Sequence, residues 1–243
     1  MNESRQKLIC LIQNAPNDRI KMLVDIQKKQ LNERLSFNQA FQNTYPNNLG
    51  QYAPLIVDSF LLYGGNDIAN LLRGIKGPSY HSVLCKVGRK LKANFNRNAD
   101  DELIEECILY KVIEKYFGAM SDEELKKILE EMEIHSFGGG KQAMLAAILY
   151  AFRAGGFTSY KILVILANYV CRMVLGRGLT FAANAALTRL TCSWLNPAVA
   201  TIIGILTVKD LTGPAYRVII PSVILIALMR AEQKYLSDHS EVA

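Results

Sequence analysis

Acidic residues are almost missing from the carboxy-terminal part of this 243-residue chain: between Gln142 and Arg230 there is one, Asp210, against eight Lys or Arg. Residues 1–141 are balanced, with 19 basic and 18 acidic groups, so the net charge of +6 comes from the later segment. A surface field of that sign attracts phosphates, whether of lipid or of nucleic acid, without specifying which. Its other reading is a buried helical core around whose rim the arginines snorkel.

Cysteine is scarce too. Five residues (Cys10, Cys85, Cys107, Cys171, Cys192) are widely spaced and form no CxxC, which excludes a disulfide framework and matches reduced, cytosol-like usage. The amino terminus, MNESRQKLICLIQ, sets polar residues where a signal peptide needs an unbroken apolar stretch, so export by that route is not expected. The expected location is cytoplasmic, peripheral to the inner membrane where the chain engages it.

Reactive constellations are missing as well. No GxSxG elbow, HExxH, GxGxxG or EF-hand loop occurs. GGGK at 138–141 resembles the end of a phosphate-binding loop, but His135 and Gln142 stand where that motif needs Gly and Ser or Thr. His81 and Cys85, four apart on a predicted helix, are two ligands with no second pair to complete a zinc site. Carboxylate pairs such as Glu105-Glu106 and Glu130-Glu131 are expected on the polar faces of amphipathic helices. No catalytic residue, metal, cofactor or small-molecule substrate is therefore assigned, and the expectation is a non-enzymatic protein.

What is present reads as helix. Apolar residues recur at spacings of three and four, and alternating β-branched runs are scarce. The predicted fold is all-α, a multi-helix bundle with a buried hydrophobic C-terminal helical hairpin. Two regions packed as one globular unit are expected: polar amphipathic helices over 1–137, and apolar basic helices over 138–243. Breaks are predicted at 14–18 and 43–48, with Asp18 capping the second helix and Ser36 with Gln39 forming a capping box for the third. Gly64-Gly65 ends a later helix, and another starts near Ser79. Ile104, Ile108, Val112 and Tyr116 form one ridge, and Leu125, Ile128, Leu129 and Met132 another. Ser121 and Glu124 supply a capping box between them, with Met120 and Leu125 as a staple.

Beyond the break at 136–141 lie five apolar runs. Four fall short of the roughly twenty residues a membrane span needs. The fifth, Leu190 to Val208, is nineteen residues without a charge, interrupted at Asn196-Pro197. A turn at Lys209-Asp210 and Gly213-Pro214 follows, and a shorter arm from Val218 to Met229 returns with Pro221 inside it. The pair, 190–229, reads as a hydrophobic hairpin marked by Trp194, Pro197, Lys209, Asp210, Tyr216, Arg217, Pro221 and Arg230. The returning arm holds only twelve uncharged residues between Arg217 and Arg230, which favours burial in a bundle over permanent insertion, since a central Arg costs several kcal/mol in a membrane. Conditional association with a membrane surface or membrane protein, including a colicin-like insertion, stays open.

Two stretches, GGNDIANLLRG at 64–74 and GPAYRVIIPSVILIALMR at 213–230, resemble a bacterial family with no assigned reaction, the YaaW-like proteins. Sequence classifications place that family beside ubiquinol-cytochrome c chaperone-like proteins. The resemblance implies no mechanism, but it brings in an assembly chaperone for a membrane or respiratory subunit as an alternative, with Asn66, Asp67, Asn70 and Arg73 as the partner-binding surface. Those four also suit a cap-and-turn role. A third alternative, nucleic-acid binding through the basic helix at 86–97, is disfavoured because Phe95 is its one interleaved aromatic.

Overall fold

The computed structural model describes residues 3–28, 33–64, 77–135, 139–176 and 214–240. Among them every regular element is helical. We number the α-helices α1 (Glu3–Gln13), α2 (Asn17–Lys28), α3 (Glu33–Phe37), α4 (Gln39–Thr44), α5 (Ala53–Tyr63), α6 (Tyr80–Leu91), α7 (Asp101–Gly118), α8 (Asp122–Met132), α9 (Lys141–Ala154), α10 (Gly156–Leu175) and α11 (Pro214–Ser240); a 3-10 turn at Leu49–Tyr52 precedes α5. The all-α expectation holds. The outgoing arm of the expected hairpin, with Trp194, Pro197, Lys209 and Asp210, lies outside the described residues, as do Asn66, Asp67, Asn70 and Arg73.

Local chemistry sets several helix ends. Ser79 caps α6 by accepting from Ser82 N at 3.2 Å. Ser121 and Glu124 form the full capping box of α8. Gly64 closes α5, and Gly77 lets the chain pass against it, since a Cβ there would sit 2.5 Å from the Leu61 carbonyl carbon. Two caps differ from expectation. The third predicted helix divides into α3 and α4, and Asn38, rather than Ser36, caps the latter by accepting from Phe41 N at 2.9 Å. Asp18 lies inside the first turn of α2, after Pro16, whose carbonyl accepts from Arg19 N and Ile20 N.

Helix α11 is the centre of the packing. It lies along α10 more extensively than any other described pair and also contacts α1, α2, α5, α6 and α7. Every residue from Val218 to Met229 is buried. A helix enclosed on all sides needs no polar face, which is why its sequence is a continuous apolar run rather than a periodic one. Around it, α1, α2, α5, α6 and α7 turn apolar side chains inward, α7 with the ridge of Ile104, Ile108, Val112 and Tyr116 that its spacing predicts, and the buried side chains form one continuous cluster. Helix α10 corrects one expectation: the run at 162–171 belongs to a twenty-residue helix that is long and apolar enough to cross a membrane, with more than half of that window buried here.

Candidate functional site

The run of buried apolar residues in α11 ends in two charged side chains, Arg230 and Glu232, on opposite sides of the helix. Each pairs with a group of opposite charge, and a tyrosine donates to the carboxylate of each pair. On one side the Arg230 guanidinium donates from Nε to Glu105 Oε2 at 3.0 Å and from Nη2 to Oε1 at 3.2 Å, while Nη1 reaches Glu102 Oε1 at 3.0 Å. Tyr80 Oη donates to Glu105 Oε1 at 2.5 Å. On the other side Arg19 donates from Nη2 to Glu232 Oε1 at 2.9 Å and from Nε to Oε2 at 3.1 Å. Tyr160 Oη adds a bond to Glu232 Oε1 at 2.8 Å, and Asp18 takes the remaining arm of Arg19 at 2.7 Å.

The two networks thus share one composition with the polarity of α11 reversed, and both are forked Arg–carboxylate pairs. Tyrosine supplies the last donor in each. Burial and the adjacent Glu105 charge raise the Tyr80 phenol well above its ordinary range, and burial with Glu232 raises Tyr160 likewise, so both remain protonated donors. Burial also raises the Glu105 carboxyl, against the lowering effect of Arg230. Further out, Gln233 Nε2 donates to Leu11 O at 2.9 Å and the Tyr235 ring stacks on Tyr160 at 5.7 Å. The end of α11 is therefore fixed to α1, α2, α6, α7 and α10.

Of the sequence-predicted hairpin residues, Arg230 enters this arrangement, Pro221 lies in the enclosed stretch, and Tyr216 and Arg217 sit near the start of α11. Arg217 is exposed, and the Lys90 ammonium lies 5.2 Å from the Tyr216 ring centroid. Glu105 corrects the expectation that its carboxylate pair faces solvent: it is 2 % exposed, because α7 buries a second ridge of Glu105, Leu109, Ile113 and Phe117 beside the first. Arg19, Glu232, Tyr80 and Tyr160 were not read from sequence at all. The available signal was the position of Glu105, three and four residues before Ile108 and Leu109.

Open clefts flank α7. One of about 720 Å³ is bounded by Ser4, Lys7, His81, Asp101, Glu102 and Arg230. In it Ser4 Oγ donates to Asp101 Oδ2, while the His81 ring contacts Asp101 Oδ1 and the Arg97 carbonyl, each at 2.8 Å. Both contacts converge on Asp101, so these residues tie α1, α6 and α7 together. Cys85 and His81 share no metal cluster; among the described residues no group of three or more His, Cys, Asp or Glu is arranged to hold an ion.

Fold and site together define a class: an all-α bundle enclosing an apolar C-terminal helix whose end is held by two Arg–Glu–Tyr networks, one buried and one part-buried. The chain is 38% identical to a UPF0174 protein of Helicobacter pylori strain J99 over 213 residues, spanning 87% of this chain and 83% of the relative. A second UPF0174 protein of that strain is 31% identical over 84% of this chain and 99% of its own length. The UPF0174 protein YaaW of Escherichia coli K12 is 27% identical over 84% and 82%. The chain belongs to the UPF0174 family. No family model and no solved structure matches it.

Proposed function

We propose that this protein is a non-enzymatic helical protein that associates with a membrane surface or a membrane protein through its apolar C-terminal region, and that the bundle is the resting form. The observation that carries the reading is the enclosure of α11 beside α10. Twelve consecutive buried residues, 218–229, lie against a helix with the length and composition of a span. The residues over 134–209 include no acid, so the region meets an anionic leaflet without charge repulsion.

In this reading the two Arg–Glu–Tyr networks hold the apolar helix in place. Acid acting at Glu105 is not the release signal: a raised carboxyl takes up its proton inside the folded bundle, and mild acid favours the enclosed state at that site. A colicin-like insertion would need another trigger, such as the lipid surface itself.

The test is fractionation of cells expressing the full-length chain, together with flotation of the purified protein on phosphatidylglycerol-containing vesicles and a leakage assay at neutral and acid pH. Membrane-bound protein in both partition assays is expected. Protein wholly in the aqueous phase of both would remove the reading. The assembly-chaperone and nucleic-acid alternatives have less support. The surface proposed for the first lies outside the described residues, and in the second two of the basic helix's cations are engaged within the bundle, Lys86 on the Gly64 carbonyl and Lys90 beside Tyr216.

A further inference from the structure

Helix α11 breaks two rules of helix construction at adjacent positions. Pro221 stands inside the helix, where its ring removes the amide that would donate to the carbonyl four residues back and crowds that carbonyl. Ser222 follows with an Oγ that is fully buried and has no hydrogen-bond partner, the one such side-chain atom among the described residues. A hydroxyl in mid-helix ordinarily bonds back to the preceding turn or points to water; this one does neither. Both positions lie within 218–229, where every residue is buried. Elsewhere the bundle supplies partners to its buried polar groups, Arg19, Gln27, Glu105 and Glu232 among them. A fold that keeps its local rules around a helix and breaks them at one point within it marks that point as functional or strained.

We infer that Pro221-Ser222 is a release point built into α11, a pair of defects that lowers the cost of taking the helix out of the bundle and sets how readily a lipid surface does so. This rests on the membrane reading above and adds to it the element that tunes release. The unpaired hydroxyl raises the free energy of the enclosed state alone. Once the packing around it loosens, Oγ can turn to the carbonyl of the preceding turn or to water, so the opened state recovers a bond that the closed one lacks. The proline acts in the same direction, because a helix already missing a ladder bond bends there before it bends elsewhere. The position suits the role as well. Arg230 and Glu232 fix the carboxy-terminal end of α11, so a bend at 221–222 loosens the part before it while the latched end stays in place.

The experiment compares full-length wild type, Ser222→Ala and Glu133→Gly by thermal melts, by flotation on phosphatidylglycerol vesicles, and by hydrogen exchange at 218–229 in the floated protein. Glu133→Gly is the control: Glu133 ends α8 at a left-handed φ of 58° that glycine adopts without strain, so the variant gains stability away from α11. Both variants are expected to melt higher than wild type. On vesicles, exchange at 218–229 is expected to be about five-fold slower in Ser222→Ala, the factor that one unsatisfied hydroxyl carries, and unchanged in Glu133→Gly. If wild type does not float, the membrane reading falls and this inference with it. If it floats but 218–229 stays as protected as in water, or opens equally fast in Ser222→Ala, there is no release point, while the membrane reading stands. Equal slowing in Glu133→Gly assigns release to global stability and overturns the inference. A lowered melt for Ser222→Ala shows that the hydroxyl is no defect and overturns it as well.

Discussion

Arg230 is half-buried and Glu232 buried, and their partners are not equivalent. Removing Glu232 takes the forked partner from Arg19, whose side chain is 4% exposed, and leaves only the partly exposed Asp18 to balance a guanidinium that cannot shed its proton. Glu232→Ala is therefore expected to cost about 3–5 kcal/mol in urea unfolding, the range for breaking a buried pair. Removing Arg230 strands Glu105, which can take up a proton instead. Its folded-state pKa already lies above the ordinary carboxyl value of 4.5, so the stability linked to this group is complete below that value and is lost as pH rises through the folded one. Arg230→Ala should then be milder than Glu232→Ala, and its penalty should shrink between pH 7.5 and pH 5. Thermal melts showing one constant penalty across that window would contradict this account. Ser222 offers the opposite sign. Its Oγ is fully buried in the middle of α11 without a hydrogen-bond partner, so Ser222→Ala removes an unsatisfied hydroxyl and should raise stability by about 1 kcal/mol.

Between residues and fold, the elements are held by caps and by close backbone approaches. At Gly77 an added methyl meets the Leu61 carbonyl carbon at 2.5 Å and the Leu62 nitrogen at 2.8 Å, and backbone cannot step aside as a flexible side chain does. Gly77→Ala is expected to cost about 1–3 kcal/mol, read as a lowered melting temperature; an unchanged melt would show that the loop before α6 shifts freely. Much of this scale was legible. Ser79, Ser121 and Gly64 act where the sequence placed them, because capping depends on neighbours within four residues. The split into α3 and α4 was not legible, since Asn38 competes with Ser36 for the same role and position alone does not rank them. Nor was the length of α11: Glu232 and Lys234 make the stretch after Met229 look like a solvated tail, whereas Glu232 is neutralised by an arginine 213 positions away. Arg230 was legible as the end of the apolar arm, but its partner Glu105 stands 125 positions earlier. No local pattern carries that distance.

For the whole molecule, the central question is how firmly α11 is enclosed, because any engagement of its apolar residues with a bilayer begins by opening the bundle. Each fully buried Leu, Ile or Val contributes roughly 1.5–3 kcal/mol relative to exposure, and 218–229 is a run of such residues closed at one end by two ion-pair networks. Opening α11 alone would bare that surface and strip α10 of its main partner, so its amides should exchange only through global unfolding. Helix α8 carries its charged face outward and is not among the helices with extensive contacts to α11, so it should exchange through smaller openings. Hydrogen exchange read by mass spectrometry checks the order: in water, peptides from 218–229 and from the middle of α10 should be the slowest, and α8 faster. Adding phosphatidylglycerol vesicles should reverse it if insertion occurs, since exchange at 218–229 then passes through a bundle opened by the lipid while α8 keeps its own capped helix. Fast exchange at 218–229 in water would mean that the helix is not locked, and the two Arg–Glu–Tyr networks would then have no holding role.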